Sequence, residues 1–90
     1  AGEIAAEAGL AHMSAAVTNL EPGDFVHTLG DAHLYANHFD QAREQLARTP
    51  GPLPQLMIRR VPASIDDFTF DDFEITSYAP QAHIAAPIAV

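Results

Sequence analysis

Gly30-Asp31-Ala32-His33-Leu34-Tyr35-Ala36-Asn37-His38-Phe39-Asp40-Gln41 gathers polar and aromatic side chains into twelve positions of an otherwise Ala-rich chain. The stretch Phe25 to Gly30 reads as a buried strand that extends raggedly through Tyr35. On a strand, His33 and Tyr35 point to one face, about 6.6 Å apart along it. An imidazole and a phenol side by side suit a sugar hydroxyl, because each can donate or accept a hydrogen bond. The same spacing also fits a plainer role, a His and a Tyr satisfied by neighbouring backbone.

Upstream of this run, residues 3–16 read as a helix, rich in Ala, Glu, Leu and Met. Ile4, Ala8, Leu10 and Met13 surround it, and a helix without a polar face is expected to lie buried in a larger body. Gly9 weakens it by roughly 1 kcal/mol relative to Ala. Glu21-Pro22-Gly23-Asp24 predicts a type II turn, with Gly23 at the positive-φ position. Downstream, Asn37 is expected to cap a second helix, with Asp40 three residues on. Phe39, Ala42, Leu46 and Ala47 form its apolar stripe, and Glu44 and Arg48 can pair at i, i+4.

Pro50-Gly51-Pro52 ends that helix. Leu53 to Val61 reads as a second strand with Leu56 and Ile58 on one face. Ser64 caps a short turn, and Phe68, Phe70 and Phe73 anchor an acidic segment to a core. Phe73 to Tyr78 is a third strand, and the tail from Ala79, holding Pro80 and Pro87, is irregular. The expected architecture is α+β: a buried N-terminal helix, about three strands and a second, amphipathic helix. Residues 1–90 read as one segment of a single domain, and the start at Ala1 rather than Met reads as processed or truncated.

The chain has 90 residues, a formal net charge of −8, four arginines, no lysine and no cysteine. The charge argues against nucleic acid and anionic membranes as partners. A disulfide, a thiolate metal site and a cysteine nucleophile are excluded within these residues. No apolar stretch is long enough to span a bilayer. Asp66, Asp67, Asp71, Asp72 and Glu74 read as a solvated acidic surface. His27, Asp31, His33 and His38 are metal-ligand types, but their spacing matches no known site, and no metal is expected. The arginines are expected to meet carboxylates rather than a phosphate. The apolar tail Ile84 to Val90 fits either a groove of its own core or a closing flap.

Several separate motifs together resemble the C-terminal part of a thymidylate synthase. Leu20-Glu21-Pro22-Gly23-Asp24-Phe25 and Gly30 to His38 are similar to that family's strand and nucleotide-binding segment. Gln41, Gln45-Leu46-Ala47-Arg48, Pro52-Leu53-Pro54, Phe70-Asp71-Asp72-Phe73-Glu74-Ile75 and Ala86-Pro87-Ile88-Ala89-Val90 continue the likeness in register. The resemblance implies a cytoplasmic, homodimeric enzyme that transfers one carbon from 5,10-methylenetetrahydrofolate to C5 of a pyrimidine nucleoside monophosphate. It implies that His33 and Tyr35 bind the sugar 3′-hydroxyl. It also implies that Ile88, Ala89 and Val90 fold over the folate. The family's cysteine nucleophile and phosphate-binding arginines lie upstream of the matching part, so no catalytic residue is expected in this segment and it should not turn over alone.

Four departures suggest a divergent member. Glu3 falls where the family keeps an asparagine that reads the uracil edge, and relatives that hydroxymethylate cytidylate carry an acid there. His27 stands where tryptophan is usual, Leu29 where glycine is usual and Ala32 where a threonine or cysteine is common. The leading expectation is thymidylate synthase, converting dUMP to dTMP. A CMP or dCMP 5-hydroxymethylase is the alternative, and a non-catalytic interaction module the third.

Overall fold

The computed structural model describes residues 2–88. Helix α1 spans Gly2–Val17, helix α2 Phe39–Ala47, strand β1 Gln55–Ile58 and strand β2 Phe73–Thr76. Short 3-10 turns cover Ala36–His38, Ile65–Asp67 and Phe70–Asp72. The fold is α+β, as expected.

Helix α1 ends as its sequence dictates. Asn19 takes the left-handed conformation at φ 55°, which Asn tolerates better than most residues. The Leu20 N–H then reaches the Ala15 carbonyl at 2.8 Å and the Asn19 N–H the Ala16 carbonyl at 3.4 Å. These are the two bonds of a Schellman motif. The reversal folds Leu20 back, and a groove lined by His12, Ala15, Leu20, Leu56 and Ile58 joins the end of α1 to β1.

Strands β1 and β2 pair antiparallel, Gln55 opposite Thr76 and Ile58 opposite Phe73. Beyond the ladder, the Arg59 N–H donates to the Asp72 carbonyl at 2.7 Å. Leu56 and Ile58 share the less exposed face of β1. The connection between the strands is closed locally: the Ser64 hydroxyl accepts from the Asp66 N–H, and the Phe68 and Phe73 rings lie 5.3 Å apart.

Several expectations are corrected. The predicted first strand, Phe25 through Tyr35, has no ladder among the described residues. A strand needs a neighbour to take its N–H and C=O groups, and β1 and β2 take only each other's. Two strands are therefore seen rather than three. No glycine has positive φ, so the Pro22-Gly23 turn is not type II. Asn37 lies inside a 3-10 turn, and the N-cap of α2 is His38 with no side-chain bond. Phe70 is 93% exposed, because it opens its 3-10 turn pointing outward. Of the expected stripe of α2 only Ala42 is partly covered: Phe39, Leu46 and Ala47 are exposed, Leu46 to 86%, and the other more covered positions are Gln41 and Arg48.

Helix α1 is not enclosed either; Ile4 and Leu10 are exposed. Among the described residues only Ala15, Pro62 and Asp72 are buried. The accessible surface is 7706 Å², against about 5,100 Å² for a compact protein of this mass. The radius of gyration is 16.8 Å, against about 12 Å for a compact chain of this length. Helix α1 and the segment after it present apolar surface that this chain does not cover.

Candidate nucleotide site

The segment between α1 and α2 positions the two leading residues through local contacts. The His33 and Tyr35 rings sit side by side, 4.9 Å apart and nearly perpendicular at 77°, a favourable edge-to-face arrangement. Tyr35 is half exposed, and the His33 side chain is 55% exposed. Both side chains are therefore partly open to solvent. His33 Nδ1 lies 3.6 Å from Asp31 Oδ1, too long for a direct hydrogen bond. The backbone turns immediately after Tyr35, where the His38 N–H donates to the Tyr35 carbonyl at 3.0 Å.

His27 stacks on Phe25 at 6.1 Å and approaches Glu7 of α1, with Nδ1 3.9 Å from Oε2. Glu3 and Glu7 are one turn apart on the same face of α1. Of the two, Glu7 is the one that meets the segment after α1, at His27. Glu3 itself makes no hydrogen bond or ion pair among the described residues, and sits in the first turn of α1, where a carboxylate is favoured by the helix dipole.

Every arginine has an acidic partner. Arg43 pairs with Asp40 at 3.0 Å, Arg48 with Glu44 at 3.3 Å, Arg59 with Glu74 at 3.1 Å and Arg60 with Asp72 at 2.8 Å. Asp72 corrects the solvated-surface expectation: it is 6% exposed. Both its oxygens accept from Arg60, at 2.9 and 2.8 Å, and Oδ2 also accepts from the Thr69 N–H at 2.8 Å. The Arg60 hydrogen bonds, then that of Thr69, hold its carboxyl down at about 2 from an ordinary 3.8. The other acids of this run stay exposed. Among the described residues no group of three or more His, Cys, Asp or Glu could hold a metal ion.

The tail runs antiparallel to α2 and is bonded to it through side chains. Gln81 Nε2 donates to the Thr49 carbonyl at 2.8 Å, and Arg48 to the Ala82 carbonyl at 2.8 Å. Gln41 Nε2 donates to the Ala85 carbonyl at 3.3 Å, and His38 Nε2 to the Pro87 carbonyl at 2.6 Å. A cleft of about 270 Å³ between them is lined by Leu34, His38, Gln41, Ala42, Ile84 and Ala86. Ile88 stands 88% exposed; Ala89 and Val90 lie outside the described residues. The sequence reading did not find these tail contacts. Their signal is the placing of donors at 38, 41 and 48, helical spacings of three and seven, opposite an apolar tail interrupted by prolines.

The family model described as thymidylate synthase matches residues 2–90. The chain belongs to the thymidylate synthase family. The family is one of folate-dependent transferases that place a one-carbon unit on C5 of a pyrimidine nucleotide. None of the described helices is long and apolar enough to cross a membrane.

Proposed function

We propose that residues 1–90 form the C-terminal segment of a single thymidylate synthase-type domain that converts dUMP to dTMP with 5,10-methylenetetrahydrofolate. The observation that carries this reading is the exposed edge-to-face pair of His33 and Tyr35 at 4.9 Å. Two adjacent groups, each able to donate and accept, suit the sugar 3′-hydroxyl, which itself does both. The large uncovered apolar surface supports the segment reading: the remainder of the domain packs on α1 and on the segment after it. The whole enzyme is a cytoplasmic homodimer in this reading.

In the chemistry of the family a cysteine thiolate adds to C6 of the ring and makes C5 nucleophilic. This chain has no cysteine, so the nucleophile comes from outside it. The role left to these residues is to hold the sugar and to shield the reacting atoms. Methylenetetrahydrofolate supplies the one-carbon unit when bound. The exposed, apolar Ile88 fits the aromatic rings of such a group. Ile88, Ala89 and Val90 close over it and exclude water.

A second reading has its own support. Glu7 approaches His27 of the segment that leads to His33, and Glu3 lies one turn before Glu7 on the same face of α1. A carboxylate there accepts from the exocyclic amine of cytosine, whereas uracil offers it an acceptor at that position. That is the pattern of a CMP or dCMP 5-hydroxymethylase. Assay of the full-length protein with folate separates the readings. Turnover of dUMP to dTMP, with no product from CMP or dCMP, supports the first. Hydroxymethylation of cytidylate with no dTMP formed supports the second. Turnover of neither leaves a non-catalytic module and overturns both.

A further inference from the structure

We propose that His38 is a positioning residue that ties the C-terminal tail to the sugar clamp. His38 touches both. Its Nε2–H donates to the Pro87 carbonyl at 2.6 Å, and its ring stands edge-on to Tyr35 at 5.9 Å and 89°. Tyr35 in turn packs edge-to-face on His33 at 4.9 Å. Three rings thus run without a gap from the clamp to the tail carbonyl just before Ile88. The inference rests on the nucleotide reading of His33 and Tyr35.

The tail depends on such contacts. Residues 78–88 hold no helix or strand, and Pro80 and Pro87 have no N–H to give a ladder. Side chains of α2 and its two caps satisfy its carbonyls instead: Arg48 at Ala82, Gln41 at Ala85 and His38 at Pro87. The His38 bond is the one nearest Ile88 and the only one of these three whose donor also meets the clamp. A nucleotide hydroxyl bonded to Tyr35 fixes that phenol, the fixed phenol restricts the His38 ring, and the ring fixes Pro87. Coupling of this kind is reciprocal: whatever holds the tail also favours the nucleotide.

The test uses the full-length protein, dUMP and dCMP as probes, and hydrogen exchange of the peptide covering residues 81–90. His38→Phe keeps a ring against Tyr35 and removes the donor. His38→Gln restores a donor near the Nε2 position. His38→Asn, whose amide reaches only as far as Nδ1, serves in place of the Phe variant if that variant does not fold. The wild type is expected to show slower tail exchange when nucleotide is added. His38→Phe should lose that nucleotide-dependent slowing and raise the folate KM about 3- to 10-fold, as expected for one lost hydrogen bond. His38→Gln should recover most of both effects. Nucleotide-dependent protection and folate KM at wild-type values in His38→Phe, or in His38→Asn, would overturn the proposal while leaving the clamp intact. A wild type that binds neither nucleotide would overturn the reading of the site, and the coupling with it.

Discussion

The strand pair β1–β2 and the segment 20–38 are close to equal in sequence interest and opposite in structural completeness. The first is finished by its own neighbours. Its strands pair with each other, Arg60 and Thr69 satisfy Asp72, and Phe68 meets Phe73. The second carries the candidate site, yet among the described residues its backbone has no ladder and its apolar residues Val26, Leu29 and Leu34 are exposed. Structure forms where the partners are near in sequence. Along the candidate site no ladder partner is near in sequence, and the segment is shaped by short aromatic contacts and single polar contacts with α1 and the tail.

The sharpest way to break this contrast is to study residues 1–90 alone. With three buried residues among those described, the isolated chain should unfold without a cooperative calorimetric transition and give weak near-UV circular dichroism. A sharp two-state melt would show that the segment 20–38 is as self-sufficient as the strand pair.

The next effect concerns Asp72. Asp72→Asn in the full-length protein should lower the unfolding midpoint in denaturant clearly, because Arg60 and the Thr69 N–H lose their shared carboxylate. The pH dependence has a definite sign. The native carboxyl titrates at about 2 and its ordinary value is 3.8. The stability it contributes is therefore complete above about pH 4 and is lost as pH falls toward 2. The wild type should lose stability across that window more steeply than Asp72→Asn; equal slopes would remove Asp72 from the account.

At the end of α1, Asn19→Val should destabilise by about 1–2 kcal/mol, since a β-branched residue resists positive φ, whereas Asn19→Gly should be near neutral. Equal stability of the Val and Gly variants would contradict the Schellman end. The smallest effect is expected from Glu74→Gln. It breaks the exposed pair with Arg59 and should cost no more than about 1 kcal/mol in the same denaturation series.

Much of this was legible in the sequence, for reasons specific to each element. The composition of α1, the Leu56–Ile58 alternation, the Ser64 cap and the Glu44–Arg48 pair all depend on residues a few positions apart, and each was found. The first strand was not, because a ladder depends on a neighbour that periodicity does not specify. Asp72 looked like one more surface acid among five, and its Arg60 partner stands twelve residues away. Of the expected α2 stripe only Ala42 lies on the covered side, because the tail meets the helix through hydrogen bonds from Gln41 and Arg48 rather than through apolar contacts alone. The His33–Tyr35 pair was legible because two residues at alternate positions of an extended segment meet whether or not a neighbouring strand is present.

Calorimetric titration of the full-length wild type, His33→Phe and Tyr35→Phe with dUMP and dCMP tests the sugar clamp most directly. Both substitutions keep a ring in place and remove only the hydrogen-bonding atoms. The account predicts saturable binding of at least one nucleotide by the wild type, weakened roughly 2- to 13-fold by each variant. Affinity unchanged in both variants would contradict it.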